Sequence, residues 1–390
     1  MEHEQPGRWD VIVLGAGVIG AAALDALARR GARVLGLDRY ELPNAMGSSH
    51  GGTRVIRTAY FEGQDYVPLL QESWSAWHEL QAWRGTTLLR QTGVLHFGPS
   101  DLVEPVLACA RDLALPHEAV TGAEIAARWP AFRPGPDDIG IHEDGGGLLR
   151  AERCVSALLE RAMANGADIR GMQRVLGVEC GAHEVVVHTA SASHRAARVV
   201  LALGAWSEGE ANPLPVTPAA ALPLTIERQV QLWFQPRDRS LVTPERMPVF
   251  LRFGHDSTFY GLPQAELPGV KVCQHHGGAS THADALDRTF HSRDETKVRA
   301  FVRDHLPAAD GPLLSARVCM YSTTPDEHFI VGAHPNHPER AVLACGFSGH
   351  GFKLAPAVGR LVADLVDGAA SGRVPMFDPR RFLGPVAPSR

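Results

Sequence analysis

The chain has 390 residues, 45% of them hydrophobic and 21% charged, with a formal net charge of -5. That is the make-up of an ordinary globular enzyme long enough for two domains. It excludes nucleic-acid binding through a basic footprint, and no run of about 18 apolar residues offers a membrane span. The acidic start Met1-Glu2-His3-Glu4 has no apolar run behind it, and Pro388-Ser389-Arg390 is not a peroxisomal address, so the expected compartment is the cytoplasm. Six cysteines with no C-x-x-C pair make neither a disulfide framework nor a zinc site, and no metal is expected. Cys109, Cys154, Cys180, Cys273 and Cys345 read as small buried apolar side chains.

In chain order, Trp9 to Leu14 is a short apolar run followed by Gly15-Ala16-Gly17-Val18-Ile19-Gly20. Ala21 to Arg30 is rich in Ala and Leu, Gly31 is a stop, and Arg33 to Leu37 is a second apolar run ending at Asp38. That succession is strand, glycine turn, helix, strand, acid, within about 30 residues. A helix is predicted from Asp65 through Leu80, with Pro68 tolerated in its first turn. Ala151 to Asn165 reads as a helix, and Val175 to Val187 and Ala197 to Leu203 as strands. Gln229 to Phe234, Val249 to Phe253, Thr258 to Leu262 and Val270 to Cys273 are short runs split by Pro and Gly, which predicts an antiparallel sheet. Ala341 to Gly346 reads as a strand and Ala355 to Leu365 as a helix. The expected fold is α/β: a nucleotide-binding domain from 1–90, 150–221 and 326–390, and a substrate domain on a mixed or antiparallel sheet from 91–149 and 222–325.

The Gly15-x-Gly17-x-x-Gly20 turn carries a mechanism. Gly15 permits the tight turn, Gly17 lets the backbone approach a pyrophosphate, Gly20 packs helix on strand, and the helix amino end faces the anion. Asp38 suits the adenosine ribose and argues against a 2′-phosphate. The motif alone does not separate FAD from NAD. Ser48-Ser49-His50-Gly51-Gly52-Thr53-Arg54-Val55-Ile56-Arg57 follows it, too rich in His, Thr and Arg for a plain solvated loop.

This loop resembles the flavin-side signature of the monomeric sarcosine oxidase family, which includes N-methyltryptophan oxidase. Asp65-Tyr66-Val67-Pro68, Gln91-Thr92-Gly93-Val94-Leu95 and Phe259-Tyr260-Gly261-Leu262-Pro263 are similar to family segments, with Lys271 and His275 beyond them. The most specific matches are Val318-Cys319-Met320-Tyr321-Ser322-Thr323-Thr324-Pro325-Asp326-Glu327-His328-Phe329-Ile330 and Gly346-Phe347-Ser348-Gly349-His350-Gly351-Phe352-Lys353. The resemblance covers nearly the whole chain and implies a glutathione-reductase-like FAD-binding fold.

The resemblance implies FAD held by Gly15, Gly17, Gly20, Asp38, Thr53, Arg54, Gly349, Gly351 and Lys353, and joined covalently to Cys319, with Arg54 favouring the thiolate. It implies Arg57 and Lys353 as a clamp on a substrate carboxylate, a planar fork beside a point charge. Lys271 would stabilise negative charge as oxygen is reduced. If its strand continues unbroken, His275 shares the face of Lys271 and contacts the amine. Tyr260 and Tyr321 would wall the amine pocket, and His50 would tune the flavin or substrate environment. Leu262, Leu251 and Gly52 depart from the sarcosine-oxidising pattern, which leaves the size of the amine open.

The implied reaction removes a hydride equivalent from the carbon bonded to nitrogen in a secondary amino acid such as sarcosine. The imine hydrolyses to an amino acid and formaldehyde, and O2 yields hydrogen peroxide. The alternatives are a cyclic imino acid oxidase (proline or pipecolate), an FAD dehydrogenase with another electron acceptor, and a noncatalytic flavoprotein. The expected partners are a small amino acid and O2, with the protein a monomer.

Overall fold

The structure is a computed structural model that describes residues 8–60, 62–216, 222–368 and 374–383. Its chain divides into two compact units, one of Met1–Ser49, Cys154–Ile226 and Tyr321–Arg390, the other of His50–Arg153 and Glu227–Met320.

The first unit is built on an eight-stranded sheet. Trp9–Leu14 runs parallel to both Val34–Leu37 and Ser193–Leu201. Asp168–Arg170 and Ala341–Cys345 extend the parallel part on either side. Val34–Leu37, Ala341–Cys345 and the second half of Trp9–Leu14 are buried at every residue, as suits strands covered on both faces. Val18–Arg29 is buried at nearly every position and packs on the final helix, Ala355–Val366, where Gly359 meets the backbone of Ala22. Arg161 from the Ala151–Ala164 helix makes a buried fork to Asp25, at 2.7 Å for each of two bonds. The expected strand from Val175 to Val187 is a hairpin, Val175–Cys180 with Val185–Thr189. Gly181 N–H closes its turn on Glu184 O, so one continuous apolar reading missed a reversal. Cys180 sits in that hairpin only half-buried, unlike the other cysteines read as core.

The second unit holds a nine-stranded sheet and a three-stranded one. All four predicted strands are present, as Thr225–Phe234, which starts before the expected Gln229, Val249–Arg252, which stops before Phe253, Thr258–Leu262, and Val270–His275, which runs past Cys273; the pairs among them are antiparallel. The sheet is nevertheless mixed, because Val249–Arg252 runs parallel to Val94–Gly98. Residues 50–90, grouped with the nucleotide-binding segments on sequence, fall in this unit. Thr53–Ile56 pairs with Gly147–Arg150, which also pairs with Leu89–Gln91. The helix over Val67–Arg84 carries its proline at the start and stops at Gly85, whose φ of 69° is left-handed.

Register decides which face of the large sheet is core. Leu232, Val272, Phe250 and Leu95 lie on one face with Phe234, Val270 and Phe97, and all belong to a single apolar cluster. The opposite face presents Trp233, Lys271, Cys273, His275, Tyr260, Leu262, Leu251, His96 and Glu143, since directly paired residues share a side. Several of these are polar yet buried, so this face serves something other than solvent.

Candidate active site

In the first unit, Gly15 turns with φ of 90°, and at Gly20 a Cβ would run into the Gly15 carbonyl. Asp38 is buried just past its strand and accepts Ala16 N–H and Tyr40 N–H, each at 2.8 Å. Burial raises its pKa while these two donors pull the other way. Ser49 Oγ accepts Val18 N–H at 3.0 Å, at the amino end of the helix. A tight turn, a close backbone and an acid at the second strand fit a dinucleotide. The C-terminal motif also lies in this unit. Gly349 adopts φ of 78°, and a Cβ there would come within 2.5 Å of the Tyr321 ring, so that ring and this turn are matched. Lys353 is buried and donates to His350 O at 2.8 Å.

In the second unit the loop after Ser49 is gripped from two sides. Gly51 and Gly52 N–H donate to Glu152, at 2.8 Å and 3.0 Å for the shorter bonds. Lys271 Nζ donates to Gly51 O and Thr53 O, both at 2.9 Å. Gly51 and Gly52 hold φ of 103° and 74°, which this doubly bound turn requires. Lys271 is 1% exposed, where a strand lysine ordinarily points to solvent. Burial, then the neighbouring Arg54, pushes its pKa down to about 7. The strand continues unbroken through His275, which is half-buried and edge-on to Tyr260 at 6.2 Å. Tyr260 also hydrogen-bonds with the Cys273 thiol, whose pKa burial raises.

Arg54 Nη2 lies 4.0 Å from Cys319 Sγ, and Cys319 is 2% exposed. His50 is buried, and among the described residues neither ring nitrogen has a hydrogen-bond partner. Burial, then Arg54, drives its pKa to about 3, so the ring is neutral. Gln231 Oε1 is likewise buried without a partner, and its side chain lies against Gly51. Buried polar atoms without partners are rare in native proteins, and this pair sits at one loop. A polar ligand edge would satisfy them.

Arg57 is also buried. Its guanidinium donates to Glu62 at 2.5 Å and to Ala59 O at 2.8 Å, and stacks 4.3 Å from the Tyr60 ring. Burial opposes its charge, but Glu62, Tyr60 and Glu143 together outweigh that and leave its pKa above the ordinary value. Sequence reasoning missed Glu62, Glu143, His96, Glu152 and Gln231. Only Gln231 left a signal: Gln229, Gln231 and Trp233 alternate with the apolar Val230, Leu232 and Phe234.

A family model described as FAD dependent oxidoreductase matches residues 10–365. The chain belongs to this family. It is 38% identical to a monomeric sarcosine oxidase of Streptomyces avermitilis, covering 97% of this chain and 99% of that one. It is 32% identical to an N-methyl-L-tryptophan oxidase of Salmonella heidelberg, covering 95% and 97%. The solved structure of NikD, an unusual amino acid oxidase essential for nikkomycin biosynthesis, superposes with a TM-score of 0.84 at 26% identity, over 95% of this chain and 97% of that one. The family fits the nucleotide turn, Asp38 and the orphaned His50 and Gln231. No helix among the described residues is long and apolar enough to cross a membrane.

Proposed function

We propose that this FAD-dependent oxidoreductase oxidises the carbon–nitrogen bond of N-methyl amino acids, with sarcosine the first substrate to test. The relatives named sarcosine oxidase and N-methyl-L-tryptophan oxidase support the reaction class. The observation that carries the substrate class is Arg57, a buried guanidinium with a fork suited to a carboxylate. Its own loop already supplies one carboxylate, Glu62, so its charge is not uncompensated. A substrate carboxylate must therefore share the guanidinium or turn Glu62 aside. Lys353 is the second cation assigned to the substrate carboxylate.

Bound FAD supplies the two-electron acceptor that the side chains lack. Gly15, Gly17, Gly20 and Asp38 would hold its dinucleotide portion; His50, Thr53, Arg54, Gly349 and Gly351 are assigned to the rest. Cys319 is the site of covalent attachment, a reading supported by the guanidinium of Arg54 beside its sulfur. Tyr260, His275 and Tyr321 are assigned to the amine. Lys271 is assigned to reaction with O2, where a fixed cation stabilises developing negative charge. The protein acts as a monomer in this reading.

The test compares N-methylglycine with a carboxylate-free amine of similar size, in wild type and Arg57→Met. Wild type should oxidise only the amino acid well, because the clamp positions the reacting carbon. Loss of one charge-assisted contact should weaken carboxylate binding roughly 10- to 100-fold in Arg57→Met. Equal turnover of both amines by wild type would overturn the assignment of substrate class.

A further inference from the structure

Glu143 has no part in the assignments above, yet it is 1% exposed and carries a full set of hydrogen bonds. Its Oε2 accepts Thr58 N–H at 2.9 Å, Thr58 Oγ–H at 2.6 Å and Ala59 N–H at 2.8 Å. Its Oε1 meets His96 Nε2 at 3.1 Å. Burial would raise the pKa of Glu143, but the bonds from His96, Thr58 and Ala59 outweigh it and leave the group below its ordinary value. Burial lowers the pKa of His96. An ionised carboxylate only accepts, so a neutral His96 must carry its proton on Nε2. Its Nδ1 is then the nitrogen without a partner among the described residues.

The contacts of Oε2 all fall on the turn that follows Arg57. Ala59 gives its N–H to Glu143 and its carbonyl to Arg57 Nη1. Glu143 therefore anchors the residue whose carbonyl, in the next peptide, orients the guanidinium. The register places Glu143 and His96 on the same sheet face as Tyr260 and Lys271. A rigid sheet thus supports a loop-borne cation, which a loop alone would leave poorly oriented.

We propose that Glu143, held in turn by His96, is a positioning residue for Arg57 and sets how tightly the protein reads a substrate carboxylate. This rests on the reading of Arg57 as the carboxylate receptor. A purely structural carboxylate would hold the turn without altering recognition. The two roles separate through coupling, because a residue that acts through Arg57 has nothing left to act on once Arg57 is gone.

The experiment uses the FAD-loaded full chain and acetate as the carboxylate probe, read by the perturbation of visible absorbance. Thr58→Val keeps shape while removing the hydroxyl that donates to Glu143, Thr58→Ser restores it, and Glu143→Gln removes the charge. By the strength of one charge-assisted bond, Thr58→Val should weaken acetate binding about 3- to 10-fold and Glu143→Gln about 10-fold or more. Thr58→Ser should stay within about 2-fold of wild type, and Thr58→Val in the Arg57→Met background should change binding less than about 2-fold. If Glu143→Gln does not fold, the Thr58 series decides alone. A lowered thermal midpoint with unchanged acetate binding in Thr58→Val overturns the proposal, as does an equal loss in both backgrounds. If Arg57→Met itself leaves acetate binding unchanged, the receptor reading fails and takes this one with it. If Arg57→Met weakens binding and the Thr58 and Glu143 variants do not, only the positioning role falls.

Discussion

Lys271 offers a prediction whose size follows from its surroundings. Burial and Arg54 bring its pKa from 10.5 to about 7, so its charge is half lost near neutral pH. A fixed charge acting on developing negative charge is worth about 100- to 1,000-fold in rate, by comparison with oxyanion donors. Lys271→Met should therefore slow reaction of the reduced protein with O2 by that factor at pH 6, while leaving reduction by substrate nearly unchanged. In wild type the same rate should fall as pH rises above about 7, approaching tenfold per unit until it nears the level of the variant. Stopped-flow mixing of reduced protein with oxygenated buffer from pH 6 to 9 reads this directly. Stability supplies a control of known sign. Between about pH 7 and 10 the folded state binds fewer protons at Lys271 than the unfolded state, so folding is favoured as pH rises. Relative to Lys271→Met, wild type should gain up to about 1.4 kcal/mol per pH unit across that window, and no further gain below it. A flat oxygen profile in wild type, or the same slope in Lys271→Met, refutes the assignment of Lys271 to oxygen.

Acid precipitation of the purified protein should carry the yellow colour into the pellet, and Cys319→Ser should leave it in the supernatant; colour in the supernatant from wild type rules out attachment at Cys319. Gly349→Ala sets a Cβ 2.5 Å from the Tyr321 ring at a left-handed φ of 78°. It should lower stability by roughly 2–4 kcal/mol, read as a denaturant midpoint shift at unchanged slope, and an unshifted midpoint contradicts the matched packing of turn and ring.

The parts legible in the sequence are those whose chemistry is local. Gly15, Gly17, Gly20 and Asp38 lie within one strand–turn–helix–strand succession, where spacing alone fixes geometry. The strands from Gln229 to Cys273 were legible from composition and from Pro and Gly breaks. Their faces were legible only where Gln229, Gln231 and Trp233 alternate with apolar residues; in Val249–Arg252 and Val270–Cys273 both faces are buried and hydrophobic alternation loses its meaning. Lys271 stood out only as a cation in an apolar run. Glu143, in His142-Glu143-Asp144, looks like any charged turn; it becomes a buried anchor because its strand pairs with Val94–Gly98 and brings it to Thr58, 85 residues away. Glu152 reads as an acid suited to a helix amino end, yet its oxygens bind Gly51 and Gly52, which lie 101 and 100 residues earlier. Contacts of that range depend on register, which motif spacing does not carry.

The charges around the Gly51-Gly52 turn have a common logic. Arg54, Lys271 and Arg317 each disfavour a proton on His50, while Glu152 favours one, and burial settles the balance for the neutral ring. Glu152 in turn spends its oxygens on the turn's own N–H groups, 2.8 Å and 3.0 Å away, and approaches Arg317 only to 3.8 Å. The turn is therefore bordered by more positive than negative charge, with its polar hydrogens already engaged and a neutral imidazole kept in reserve. Such a surface gains most from a neighbour that becomes more negative during reaction, since the cations are fixed beforehand and little reorganisation is required. Lys271 titrates near neutrality chiefly because it is buried, and the positive charge of Arg54, which also lies 4.0 Å from the Cys319 sulfur, lowers the proton affinity of the lysine further. One guanidinium thus stands beside both assigned groups, Cys319 for attachment and Lys271 for oxygen.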